Sequence, residues 1–189
     1  MFTLFESFAA RAQAANAEVH RFETRDEALE FILSFVRTLE AGRPQPSFAV
    51  WPAGPFLDGL EEAELTERAP GLTFQVTRGS ASAATIGISQ VDLAIADTGT
   101  LVVNATKVEQ RLVSTLPSVH IAILNSGAIV PDLAEALTRF SSPSGGPPPY
   151  LSFITGPSRT ADIERVLTIG VHGPERLVIV CVDEMIGAQ

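Results

Sequence analysis

Val119-His120-Ile121-Ala122-Ile123-Leu124 is an apolar run interrupted by one histidine. Read as a strand it is apolar on both faces, as the middle of a sheet covered on both sides must be. Leu177–Val182 is a second run of this kind, and Leu151–Thr155 and Leu167–Val171 add further strands. Upstream, the short strand Phe48–Trp51 precedes an acidic helix through Leu57, Leu60 and Leu65 that stops at Pro70, and Leu72–Val76 alternates as a strand. Strand, helix, strand in this order predicts a parallel βαβ unit.

Around this frame the helices are signposted. Phe2, Phe5, Phe8 and Ala12 fall three or four apart, on one face of a helix that packs on its own domain or docks a partner. Thr24 with Glu27 is a capping-box pattern, and Ala28, Leu29, Ile32, Leu33, Val36 and Leu39 carry the stripe onward until Gly42 and Pro44. Ser80–Ser89, rich in Gly, Ala and Ser, reads as a short helix plus a turn. Pro131 opens a helix to Phe140, and Ser141–Pro149 is a Ser/Gly/Pro loop. The expectation is one α/β domain over 1–189, an open sheet flanked by helices, with N-terminal helices in 1–42.

Composition excludes several functions. The chain has 189 residues, 46% hydrophobic and 19% charged, so it is globular and not disordered. Its net charge of −9, with no basic cluster, disfavours a phosphate backbone as partner. One cysteine, Cys181, allows no internal disulfide and no cysteine-ligated cluster, and three scattered histidines supply no metal-ligand spacing. No segment has transmembrane length. Ala12-Gln13-Ala14 resembles a signal-peptidase site, but Glu6 and Arg11 interrupt any apolar stretch before it, so a complete cytoplasmic chain is expected.

Polar residues interrupt the apolar strands at four places. Asp97-Thr98-Gly99-Thr100 follows a strand, where a carboxylate beside hydroxyls either binds a hydroxylated ligand or serves as a base; the same residues also suit a tight hairpin turn. Arg111, Ser114 and His120 come next: the arginine suits a carboxylate or phosphate, whereas a histidine inside an apolar strand is first a satisfied core residue. In Thr155–Glu164, Gly156, Ser158, Arg159 and Thr160 make an anion-binding nest, or Ser158 caps a helical turn favoured by Asp162 and Glu164. His172-Gly173-Pro174 closes a strand and offers an acid/base or a plain connector. Neither a Walker loop nor a dinucleotide fingerprint is present.

TGPSRTADIE, followed by IGVHGP and an apolar strand, resembles the signature of the lactate-utilization protein C family, the LUD domain. ADTGTLVV and the R-x-x-S-x-L-P-x-x-H of Arg111–His120 occupy the places that family expects, so the resemblance covers about Ile86–Val182. Asp97 stands where relatives often carry Glu. The resemblance implies a fold similar to ribose-5-phosphate isomerases, glucosamine-6-phosphate deaminases and CoA-transferases. It also implies a non-redox subunit of a system oxidising L-lactate to pyruvate, with iron–sulfur clusters held by partner subunits and no cofactor in this chain. A small carboxylate or phosphate-bearing ligand is then expected among Thr98, Gly99, Thr100, Arg111, His120, Gly156, Ser158, Arg159, Thr160 and Asp162, with His172 or Asp97 as proton acceptor and, for an acyl-transferase, Glu164 or Asp97 as the nucleophilic carboxylate. The alternative is a stand-alone isomerase or acyl-transferase acting on a phosphorylated or CoA-linked molecule.

Overall fold

Thr24 and Glu27 cap each other as their spacing predicts: the Glu27 carboxylate accepts the Thr24 N–H, and the Thr24 hydroxyl accepts the Glu27 N–H. The helix they start buries Ala28, Leu29, Ile32, Leu33 and Val36. Each of its larger aliphatic side chains contributes about 1.5–3 kcal/mol on leaving water. The computed structural model describes residues 3–40, 48–141, 146–162, 166–169 and 172–185. In chain order the elements are α1 (Leu4–Ala14), β1 (Glu18–Thr24), α2 (Arg25–Glu40), β2 (Ala49–Val50), α3 (Glu62–Arg68), β3 (Leu72–Thr73), α4 (Arg78–Ala83), β4 (Ile86–Gln90) and β5 (Leu93–Ile95). Then follow β6 (Thr100–Asn104), α5 (Val108–Thr115), β7 (Val119–Asn125), β8 (Ile129–Val130), α6 (Leu133–Phe140), β9 (Leu151–Ile154), β10 (Arg159–Asp162), β11 (Val166–Ile169) and β12 (Arg176–Glu184).

Among the described residues six strands pair in the order β1-β12-β7-β4-β2-β3, every neighbour parallel. The chain is thus α/β, with a mostly parallel open sheet flanked by helices. The apolar runs at 119–124 and 177–182 are its centre: Ile121 lies level with Ile88 on one side and Val178 on the other. One face packs on α2 and α3, with Ile32, Leu33, Leu65 and Trp51 in a common core. The opposite face meets α1 and a second, four-stranded sheet ordered β8-β5-β6-β9; Phe8, Leu101, Ala122 and Cys181 share that interior. Helix α6 covers the outer side of the second sheet through Ala136.

Several expectations require correction. The N-terminal segment expected as helices also holds β1, Glu18–Thr24, an edge strand whose residues are only partly buried and which no turn residue separates from α2. In Ser80–Ser89 the short helix is present as α4, but the expected turn is replaced by the core strand β4, which starts at Ile86. Its small residues exist because α5 lies directly against it: a Cβ on Gly87 would overlap the Val113 carbonyl and come within 2.9 Å of Pro117. The acidic helix is shorter than its leucines suggest. A 3₁₀ turn at Pro55–Leu57 is followed by Gly59 at φ 76°, and α3 starts only at Glu62. The strand at Leu72–Val76 is reduced to Leu72–Thr73, though it pairs parallel with β2 as the βαβ reading requires. Helix α6 begins at Leu133 and not at Pro131: Asp132 caps it, accepting the Glu135 N–H at 2.9 Å.

The largest correction concerns Thr155–Glu164. Arg159–Asp162 is a strand that pairs antiparallel with Val166–Ile169, so Ser158 caps no helix. Phe2 and Glu164 lie outside the described residues, as do the side chains of Thr160 and Asp162.

Candidate functional site

Strand order reverses between β2 and β4: from β2 the chain moves outward to β3, then returns to lay β4 on the other flank and continues to β7. At such a reversal the loops beyond the strands' carboxyl ends part, and ligands bind in the crevice between them. A cavity of about 970 Å³ lies there. It is walled by Ala53–Pro55 after β2, Gln90 at the end of β4, Asn125 at the end of β7 and Met185 after β12. The second sheet closes it with Asp92 and Asn104, and α5 with Lys107 and Gln110.

Its polar groups are positioned by backbone. Gln90 Oε1 accepts the Phe56 N–H at 2.9 Å, Asn125 Oδ1 accepts the Gly127 N–H at 2.8 Å, and Asn104 Oδ1 accepts the Thr106 N–H at 3.2 Å and hydroxyl at 2.7 Å. Arg25, beneath the rim, donates to the Phe56 and Asp58 carbonyls and stacks on the Phe56 ring, fixing that wall. Asp92 opens onto the crevice, and its Oδ2 accepts the Asn104 N–H at 2.6 Å. Loss of surrounding water raises its carboxyl above the ordinary value, against backbone hydrogen bonds that oppose the rise. Gln110 Oε1 is buried with no partner among the described residues.

The residues singled out from sequence gather elsewhere, around the end of α1. The turn Asp97–Thr100 closes the β5–β6 hairpin with Gly99 at φ 67°, as read, and Gly99 lies against the α1 backbone at Arg11 and Ala12. Gly156, at φ 74°, lies against Ala15, whose carbonyl also accepts from the Arg159 guanidinium. The Thr100 and Thr155 hydroxyls are 2.8 Å apart, and the Ser158 N–H donates to the Pro174 carbonyl at 2.8 Å, with Gly173 against the Ser158 side chain. So Asp97–Thr100, Gly156–Arg159 and Gly173–Pro174 do form one neighbourhood. His172 stands exposed beside it, and Thr98 and Asp97 are exposed in the turn.

Arg111 and His120 do not join them. Arg111 donates to the Ala105 and Thr106 carbonyls and covers the Tyr150 ring at 4.8 Å, pinning the loop before α5. His120 is 1% exposed; its Nε2 is 2.8 Å from Ser89 Oγ, and Nδ1 is buried without a partner among the described residues. Burial holds its pKa down at about 4, so it is neutral at pH 7. Cys181 is the buried hydrophobe expected, its thiol pushed up to about 12 by burial.

The crevice residues escaped the sequence reading, although a signal was there. Three apolar strands end on an amide: Gln90 after Ile86–Ser89, Asn104 after Leu101–Val103, Asn125 after Ile121–Leu124. No group of His, Cys, Asp and Glu suited to a metal occurs among the described residues, and no helix there is long and apolar enough to cross a membrane.

A family model described as the LUD domain matches residues 5–182, reaching well upstream of the segment whose motifs suggested it. The chain is 38% identical to Lactate utilization protein C of Macrococcus caseolyticus over 107 residues, 55% of this chain and 46% of that one. The protein of that name from Bacillus subtilis is 37% identical over 107 residues, 55% and 45% of the two chains. For that from Shouchella clausii the identity is 30% over 142 residues, 74% and 54%. The chain thus spans about half the length of the curated relatives it matches. A crystal structure of a DUF162 family protein from Deinococcus radiodurans shares the fold, with a TM-score of 0.66 at 19% identity over 95% of this chain and 96% of that one. The chain belongs to the LUD domain family.

Proposed function

We propose that this protein is a non-redox component of an L-lactate oxidation system, binding a small organic anion at the carboxyl edge of its parallel sheet. The single observation carrying the lactate role is the LUD match over residues 5–182, joined to relatives named for lactate utilization. The ligand site is the crevice, because polar side chains with free hydrogen-bonding capacity line a cavity there, whereas Arg159 and Arg111 are engaged with backbone carbonyls.

Electron transfer belongs to partner subunits with iron–sulfur clusters. One cysteine, buried in β12, cannot hold such a cluster in this chain. The neighbourhood of α1, Asp97–Thr100 and Gly156–Arg159 presents exposed polar groups on one side of the molecule, and it is the surface assigned to those partners. Asp92, whose carboxyl is held above its ordinary value by loss of surrounding water, is the carboxyl in the crevice able to give or take a proton.

Lactate-driven dye reduction in lysate from a strain lacking this chain tests the role. Wild-type protein added back restores the rate. Asp92→Asn, which retains an acceptor for the Asn104 N–H but not the titratable group, restores less. A rate indifferent to the chain overturns the lactate role.

A further inference from the structure

The crevice has a donor pattern that specifies its ligand. In Gln90, Asn104 and Asn125 the side-chain oxygen is committed to backbone N–H groups. This fixes each amide's orientation, because a backbone N–H can be accepted only by the oxygen. The three NH₂ groups are left with no partner among the described residues. Lys107, the only lysine in the chain, lines the same cavity and forms no ion pair among the described residues. The Asp92 carboxylate, which lines the same cavity, is an acceptor beside these donors.

Four donor groups around one cavity call for an oxygen-rich, negatively charged molecule, and the Asp92 carboxylate calls for a hydroxyl proton on it. Size narrows the class. Cavities of roughly 300–1,000 Å³ accommodate drug-sized ligands, and this one lies near the top of that range. A three-carbon acid alone leaves most of the donors to water.

We propose that the crevice binds a polyhydroxylated organic anion larger than lactate, with Lys107 and the amides of Gln90, Asn104 and Asn125 on its carboxylate or phosphate and Asp92 on a hydroxyl. This rests on the crevice being the ligand site and not on the lactate role.

The test uses the purified full chain and four probes: L-lactate, D-gluconate, 6-phosphogluconate and inorganic phosphate. Calorimetry gives affinity. Acylation of the single lysine, read by mass spectrometry of the peptide containing it, reports occupancy at the wall. Gluconate or 6-phosphogluconate is expected to bind at least about tenfold more tightly than lactate or phosphate and to protect Lys107. Comparing the two hydroxy acids tells a carboxylate from a phosphate preference. Asn125→Asp and Gln90→Glu keep the oxygen that accepts the backbone N–H but replace the free NH₂ by a charged oxygen. Each is expected to weaken binding about tenfold or more with an unchanged melting temperature.

Lactate binding as tightly as the hexonates, with the same sensitivity to Asn125→Asp, overturns the ligand class and leaves the crevice as the site. Binding indifferent to both variants, with Lys107 unprotected, overturns the crevice itself. Absence of binding by either hexonate overturns the proposal outright.

Discussion

Gly99 and Gly59 share a backbone conformation and differ in surroundings, which makes them a matched pair. Both have positive φ, 67° and 76°. A methyl on Gly59 meets nothing within 4 Å, whereas one on Gly99 would stand 2.6 Å from Arg11 C and 2.8 Å from Ala12 Cα. An L-residue in the left-handed region costs about 1–2 kcal/mol, which is the whole expected effect of Gly59→Ala. Gly99→Ala adds an overlap with α1 backbone that cannot rotate away, about 1–3 kcal/mol more, for a total of about 2–5 kcal/mol. For a chain of this size that corresponds to a fall in Tm of roughly 4–20 °C for Gly99→Ala against roughly 2–8 °C for Gly59→Ala. Urea denaturation followed by circular dichroism measures both, and an unchanged m value would show that native compactness is kept. If the two variants agree within about 0.5 kcal/mol, the close seating of α1 on the Asp97–Thr100 turn is refuted.

Other outcomes follow from buried groups. His120 is neutral in the fold with a pKa of about 4, below its ordinary 6.5, so the unfolded chain binds the extra proton across that interval. Its contribution is fully present above pH 6.5 and falls by about 3 kcal/mol as the pH drops to about 4. His120→Gln should remove that slope, and the difference between variant and wild-type urea midpoints from pH 7 to 4.5 isolates it from Asp92, whose raised carboxyl works in the opposite direction. Equal slopes would contradict the burial argument. Cys181, with its thiol at about 12 and no exposure, should resist iodoacetamide at pH 8 until urea unfolds the chain; native labelling at the rate of a free thiol would refute it.

The parallel core was readable because its central strands must be apolar on both faces, and Val119–Leu124 and Leu177–Val182 are apolar throughout but for His120. Edge and closely packed strands were not. Glu18–Thr24 alternates weakly because it is only half covered, and β4 hides behind Gly87 and Ser89, small because α5 and His120 crowd them. Turn chemistry told more: Gly99 and Gly156 were recognisable as turn residues, but nothing local reveals that both rest on α1. The crevice draws its groups from β4, β6, α5 and β7, each an ordinary amide or lysine in its own segment. Only the strand order brings them together. Motif density led instead to Asp97–Thr100 and Gly156–Arg159, which the fold does unite, though with Arg159 turned onto the Ala15 carbonyl.

Hydrogen exchange of the full chain, with and without 6-phosphogluconate, places the ligand most directly. Slowed exchange is expected at Asn104–Gln110 and at Asn125–Ala128, the walls of the crevice. Protection confined to Gly156–Arg159 and His172–Pro174 would contradict it and return the ligand to the motif-rich neighbourhood of α1.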